Sequence, residues 1–315
     1  MIELVVGSRG SRLALLQTRS VVERLERLQP DVRCRIRVIK TKGDMVQSAP
    51  LATLGGKGLF VKEIEQAILA DEIDFAVHSA KDLPSETDER LCVVAYTERE
   101  DPADALVSRF GRLNELPSGA VVGTSSTRRR AQLLHARPDV RVTDLRGNLD
   151  TRLRRLDECK YDAVVVAYAG LRRMGLQSRI TEILGFDVCL PAAGQGALAV
   201  QCKPDNRAVG LLHMLDHPQT RRCVTAERAL LGHLGAGCQT PVAVLGRETS
   251  GIIDLEAAVF GLDGSRLVRM SESGSATNPA EIGIRLAQKM TEEPLTEELL
   301  EEARTGAERK DIGAT

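Results

Sequence analysis

Residues 120–136 read AVVGTSSTRRRAQLLHA. A short apolar run ends at a glycine, a polar turn follows, and a helical segment opens on three arginines. Strand, turn and helix in that order are the repeating step of an α/β sheet. The step continues downstream: VRVTDL reads as a strand, NLDTRLRRLDEC as a helix and DAVVVAY as a strand. It also occurs upstream. IELVV is a strand, and SRLALLQTRSVVERLERL is an amphipathic helix with Leu15, Val22 and Leu25 on one face and Ser11 as its N-cap. VRCRIRVI alternates like a half-buried strand, LFVKEIEQAILADE is a second helix, and IDFAVHS a third strand. The reading is two α/β units with mostly parallel sheets, separated by a break at EREDPADALVS, residues 98–108.

LPAAGQGALAVQC (190–202) closes the second unit and opens another apolar strand. That strand is expected to return to the first unit, which makes two crossings and a hinge. The C-terminal part differs. Helix TRRCVTAERALLGHL precedes three strand-like runs, TPVAVLG, IIDLEAAVFG and RLVRMSES, with LDGS as a hairpin turn. Helix PAEIGIRLAQKM comes next, and the tail reads as a short acidic helix. The expected fold class is therefore two α/β domains plus a small α+β C-terminal domain with an antiparallel sheet. The expected boundaries are 1–98 with 197–216, then 102–192, then 218–315.

The 315 residues are 43% hydrophobic and 28% charged, enough for ordinary cores. A formal net charge of −1 argues against a general nucleic-acid binder. No apolar run of about 18 residues suggests a membrane span, and the N-terminus enters a strand pattern without a basic, then apolar, leader. Seven cysteines at irregular spacing form no C-x-x-C pair, so neither a disulfide framework nor a metal site is expected, and the compartment is read as cytoplasmic.

Polar clusters stand directly after the strands: GSRGS, TKGD, HSAKDLPS, GTSSTRRR and LRGN. Ligands of open α/β sheets bind beyond the carboxyl ends of strands. Arg9, Ser11, Asp44, Ser79, Lys81, Asp82, Ser126, Arg128, Arg129 and Arg146 are thus expected to line one cleft built for a multiply charged anion. Arg128 and Arg129 are expected to face it, and Arg130 to face solvent. Asp82 is a carboxylate among cations, suited to stabilising a positive charge or moving a proton, or else simply paired with Lys81. GGKGLF (55–60) lacks the spacing of a phosphate loop and reads as a loop with Lys57 and Phe60 at its edge. Cys238, in LLGHLGAGCQTPVAVLG (230–246), has small neighbours and no nearby cysteine. By itself it reads as a small buried hydrophobe rather than a reactive thiol.

HSAKDLP, GTSSTRRRAQL, LRGNLDTRL, AYAGLRRMG, LPAAGQGAL and TAERALLGHLGAGCQTPV resemble, in order and from Val6 to about Lys289, the porphobilinogen deaminase (hydroxymethylbilane synthase) family. The resemblance implies two domains like those of periplasmic binding proteins and a third domain. It implies a transferase of tetrapyrrole biosynthesis. Four porphobilinogen molecules are joined head to tail with loss of ammonia, and water then releases the linear product. Growth starts on a dipyrromethane cofactor held by a thioether, and the matching cysteine is Cys238. Asp82 matches the catalytic aspartate. The resemblance assigns the pyrrole carboxylates to Arg9, Ser11, Ser79, Lys81, Ser126, Arg128, Arg129, Arg146, Arg152 and Arg173. Gln17, Asp44, Lys57, Phe60 and Gln195 join the binding set. Thr53 stands where many relatives carry Lys, so a basic role there is not carried over. The expected partner is the small-molecule substrate alone, with no nucleic acid, no membrane, no metal and a monomeric chain. Two rivals remain at this point: a two-domain periplasmic-type anion-binding protein without catalysis, and a nucleotide-binding regulator.

Overall fold

The computed structural model describes residues 1–41, 61–84, 88–237 and 240–312. In chain order the first unit gives β1 (Ile2–Arg9), α1 (Arg12–Leu28), β2 (Val32–Ile39), α2 (Lys62–Leu69), β3 (Phe75–Ser79) and β4 (Cys92–Tyr96). The second gives β5 (Asp104–Ser108), β6 (Val121–Gly123), α3 (Thr127–Ala136), β7 (Arg141–Thr143), α4 (Leu149–Asp157), β8 (Ala163–Ala167), α5 (Tyr168–Arg173) and β9 (Glu182–Ile183). The chain returns as β10 (Leu198–Cys202) and α6 (Val209–Leu212). It ends with α7 (Pro218–His233), β11 (Val242–Thr249), β12 (Ile252–Phe260), β13 (Leu267–Ser275), α8 (Pro279–Thr291) and α9 (Pro294–Ile312).

Among the described residues the strands form sheets ordered β2-β1-β3-β10-β4, β7-β6-β8-β5-β9 and β11-β12-β13. The first two are mixed rather than mostly parallel. β10 runs antiparallel to β3 and β4, and β5 antiparallel to β8 and β9. Both departures have one cause: each of these strands is entered from a crossing between the units, so it arrives from the opposite end. The stretch 98–108 is likewise not simply a break, since its second half is β5, an interior strand of the second sheet. Its acidic and proline residues hide a strand whose first residue, Asp104, is a fully buried carboxylate. The acidic tail is a longer helix than expected, 19 residues.

The helices form where apolar spacing and caps agree. Ser11 caps α1 by accepting from Ala14 N at 3.3 Å, and Val21, Val22 and Leu25 face the first sheet. These join Leu4, Val6, Phe75 and Val200 in one core, while Ile64 and Ile68 of α2 cover the other face with Ile73. Burying a Leu, Ile or Phe side chain stabilises by about 1.5–3 kcal/mol. The third unit packs α7 and α8 on its antiparallel sheet. Its β12–β13 turn docks on α3: Gly264 has φ +77°, and a Cβ there would stand 2.5 Å from Ala131 O. Only glycine fits that approach.

The three units meet at one buried ion pair. Glu227 of α7 receives Arg99 at 2.5 Å, Gly194 N at 2.7 Å and Gly246 N at 2.8 Å. Arg99 lies on the outgoing crossing and Gly194 on the returning one, and Arg99 Nε also donates to Gln195 O at 2.8 Å. At Gly196 the crossings touch: its φ is +93°, and a Cβ would lie 2.1 Å from Glu100 O. Replacing Glu227 with Ala leaves a buried guanidinium and two amide N–H groups unpaired. Chemical denaturation should show a loss of about 3–5 kcal/mol. A near-normal unfolding midpoint would show that the pair contributes little.

Candidate active site

The candidate site draws on the strand ends of both α/β units. Arg9 ends β1, and Ser79 ends β3. Lys81 and Asp82 lie in the 3₁₀ turn Ala80–Asp82, directly after β3. That turn is held from two sides. Ala80 N donates to Ala197 O at 3.0 Å, and Arg228 of α7 donates to Pro84 O at 2.6 Å and Leu83 O at 3.3 Å. The third unit thereby fixes the segment just past Asp82. Opposite stand Ser126 at the start of α3, Arg146 after β7, and Arg152 on α4.

At the floor, Asp104 is a fully buried carboxylate at the start of β5. It accepts from Arg128 at 2.8 Å, from Arg129 at 2.7 and 3.0 Å, and from Gln195 Nε2 at 2.8 Å. The Cys189 thiol donates to it at 3.3 Å. Burial alone would raise its pKa, but the two guanidinium groups outweigh this and hold it well below the usual carboxylate range. Arg128 also donates to Leu190 O at 2.7 Å. The expectation that Arg128 and Arg129 point their forks into the cleft is thus corrected. Both are 5% exposed and turned onto Asp104. The reason is electrostatic: an unpaired buried carboxylate costs more than a solvated guanidinium gains. Arg130, expected in solvent, is half-buried and donates to Val142 O at 2.9 Å.

Gln195 links this floor to the turn. Its Oε1 accepts from Lys81 Nζ at 3.2 Å and its Nε2 donates to Pro102 O at 2.7 Å. Gln17 of α1 bonds Ser79 Oγ at 3.1 Å. Ser126 caps α3 by accepting from Arg129 N at 3.4 Å, so both Ser11 and Ser126 act as caps. Arg152 Nε donates to Gly147 O at 2.8 Å. Arg173 donates to Gly196 O at 2.6 Å, which places it on the returning crossing. Asp44, Thr53, Lys57, Phe60 and Cys238 lie outside the described residues.

The cations crowd one another. Burial and then the charge of Arg129 push Lys81 down to about 8, against the opposing pull of Asp82 and Asp104. Burial and Arg129 push Arg152 down to about 10, again opposed by Asp82 and helped by Arg146. Burial lowers Arg173. His78, just before the turn, is pushed down to about 4 by burial and stays neutral. Lys81 and Asp82 come from the first unit and Arg129, Arg146 and Arg152 from the second, so the groups converge. Such a donor set suits a ligand with several carboxylates, whose charge would relieve the crowding. The motifs of the sequence do not point to Asp104, Arg99, Glu227 or Cys189. An acidic residue opening an apolar strand, facing paired arginines, is the one signal available for Asp104. Among the described residues no His, Cys, Asp and Glu group is placed to hold a metal ion.

The chain is 51% identical over 292 residues to a porphobilinogen deaminase of Pelotomaculum thermopropionicum, covering 92% of this chain and 94% of that one. It is 50% identical to one from Desulforudis audaxviator, covering 97% and 99%. A TRAP periplasmic solute binding protein from Pseudomonas putida F1 is similar at a TM-score of 0.40 and 8% identity, over 73% of this chain and 81% of that one. A likeness of that grade carries no weight here.

Asp104→Asn should cost about 3–5 kcal/mol in urea or thermal unfolding, because two guanidinium groups lose their counter-charge. Arg128→Leu should also destabilise rather than only slow turnover; wild-type stability in that variant would return Arg128 to the cleft. Because its pKa is depressed, Asp104 contributes stability that is complete above about pH 4 and is lost only as pH falls further. Residues 4–210 match the family model described as porphobilinogen deaminase, dipyromethane cofactor binding domain, and residues 221–292 match that of its C-terminal domain, so the chain belongs to the porphobilinogen deaminase family.

Proposed function

We propose that this chain condenses porphobilinogen molecules on a dipyrromethane tethered to Cys238 through a thioether, and releases hydroxymethylbilane. The observation that carries the reading is that Lys81 and Asp82 of the first unit converge with Arg152 and Arg146 of the second, Arg152 standing within the charge of both Asp82 and Arg146. The residues fit the group. Pyrroles bearing acetate and propionate need several cations, and Lys81 and Arg152 are both held below their ordinary range until such anions arrive. When bound, the dipyrromethane supplies the ring carbon to which the first substrate ring is joined.

The chain's own residues do the rest. Lys81 and Arg152 bind carboxylates, joined by Arg9 and Ser79 at the ends of β1 and β3, Gln17 on α1 beside Ser79, and Arg146 in the loop before α4. Asp82 accepts the pyrrole N–H of the substrate and stabilises positive charge on the ring as ammonia departs. Arg228 and Ala197 hold the turn that positions it. Arg128, Arg129 and Gln195 act through Asp104, fixing the start of α3 and the returning crossing. The division into 1–98 with 197–216, 102–192 and 218–315 is part of this reading. It is supported by β10 pairing with β3 and β4 of the first sheet. We take the protein as a cytoplasmic monomer whose partner is its small-molecule substrate.

An intact mass of the purified protein should exceed the polypeptide by two linked pyrrole units, and Cys238→Ser should lack that mass. An unmodified wild-type mass would end the proposal. On loaded protein, Asp82→Asn should slow single-turnover ammonia release by about 10²–10⁴-fold, equal to roughly 3–5 kcal/mol, while Asp82→Glu retains part of it. Equal rates for Asn and wild type would leave Asp82 a turn residue only.

Lys81 offers a readout apart from turnover. With a pKa near 8 it is about half deprotonated at pH 8, whereas an ordinary lysine, near 10.4, is almost fully charged. In Cys238→Ser protein, acetic anhydride at pH 8 should acylate Lys81 ahead of exposed lysines by peptide mapping. Cofactor-loaded protein should be protected. Slow labelling in both would place Lys81 outside the ligand's reach.

A further inference from the structure

Two sulfurs far from the cleft stand opposite each other. Cys92 opens β4 and Cys202 closes β10, and the antiparallel register pairs them directly. A bulge between Val200 and Gln201 creates this pairing. Val200 faces Ala95 but Gln201 faces Val93, so the register slips by one and Cys202 meets Cys92 instead of Val93. The two Sγ atoms are 4.0 Å apart. Opposed residues in antiparallel strands have Cα atoms about 4.5–5.5 Å apart. That lies within the roughly 4.4–6.8 Å that a disulfide spans. Side-chain rotation is therefore enough to close the bond. Cys92 is half-buried on the edge strand of its sheet, and Cys202 is fully buried beside it.

We propose that Cys92 and Cys202 are a redox-modification site, which a hydroperoxide converts to a cross-strand disulfide. The half-buried Cys92 sulfur attacks one oxygen of hydrogen peroxide; the O–O bond breaks, the thiol proton leaves with the other oxygen as water, and a sulfenic acid remains. The Cys202 sulfur then attacks the Cys92 sulfur. The S–O bond breaks, and a second water carries off the Cys202 proton. Two electrons pass from the sulfurs to the peroxide. The order of events is set by the surroundings. Burial and then the neighbouring sulfur push the Cys202 thiol up to about 12, so it is the poorer first nucleophile.

The place of the bond sets its effect. β4 leads into the outgoing crossing and β10 leaves the returning one. The disulfide bridges a sequence separation of 110 and encloses both crossings and the whole second unit. Long closed loops restrict the unfolded chain most. The cleft is at the other end of β10, where Leu198 faces Ser79, so the oxidised protein should keep its turnover.

The test is to treat the protein, as purified, with hydrogen peroxide and map its peptides without reduction. The expected result is one cross-linked pair joining Cys92 to Cys202, a whole-chain mass lower by two hydrogen atoms, and reversal by dithiothreitol. The oxidised form should melt several degrees higher. Cys92→Ser, at a half-buried site, should fold, lose the cross-link and lose the thermal shift; Cys202→Ala should do the same. Oxygen addition at Cys92 or the exposed Cys159 without a cross-link would overturn the proposal, as would a bridge to Cys34. An unshifted melting temperature in protein shown to carry the bond would overturn its stabilising role.

Discussion

A carboxylate buried beneath the cleft constrains everything above it. Asp104 begins an interior strand and needs counter-charge on all sides. It draws in two guanidinium groups from the first turn of α3 and an amide from the returning crossing. Those arginines are poorly placed for the helix itself. The first turn of α3 contains no acidic residue, and cations at a helix N-terminus oppose the helix dipole by about 0.3–1 kcal/mol each. The helix accepts this local conflict because the buried carboxylate reverses its sign. Conflicts of this kind between local preference and global fold tend to mark functional ground.

From that point the architecture propagates in two directions. Gln195 passes the constraint to Lys81, and so to the turn that carries Asp82. The crossings, pressed together at Gly196, are gripped by Glu227 from the third unit through Arg99 and Gly194. The third unit holds both crossings and, through Arg228, the segment after Asp82. Apolar packing reinforces this: Val224 joins Ala80, Leu83 and Tyr96, and Phe260 and Leu245 join Ala131 and Leu190.

Much of this is legible in the residues. Strand–turn–helix steps are clear wherever apolar periodicity and a polar turn coincide, as at Val121–Gly123 and Thr127–Ala136. Polar turns at the carboxyl ends of strands mark the cleft, and Lys81, Asp82, Arg146 and Arg152 do stand near one another. Burial of charge is the part that composition hides. Asp104 sits in an acidic, proline-bearing stretch, so β5 looks like a linker. The direction of Arg128 is hidden too. Neighbouring helix residues project about 100° apart, and only the position of Asp104 decides which side is inward. Sheet direction is equally obscure, because hydrophobic runs look alike in both orientations. A bulge such as that at Gln201 leaves no trace in composition, so the meeting of Cys92 and Cys202 is invisible without the fold.

The placement of β10 between β3 and β4 has a consequence for the newborn chain on the ribosome. Among the described residues β4 has no partner in its sheet other than β10. About a hundred residues must be made between them, and at about 5–20 residues per second that takes roughly 5–20 s. For that interval the first unit is an incomplete sheet, with the edge of β3 and the whole of β4 lacking their hydrogen-bond partner. The second unit, whose strands are contiguous in the chain, can close on itself meanwhile. Synthesis therefore delivers the middle of this protein ready to close before its beginning, and leaves the strands beside Asp82 open until Leu198–Cys202 emerges.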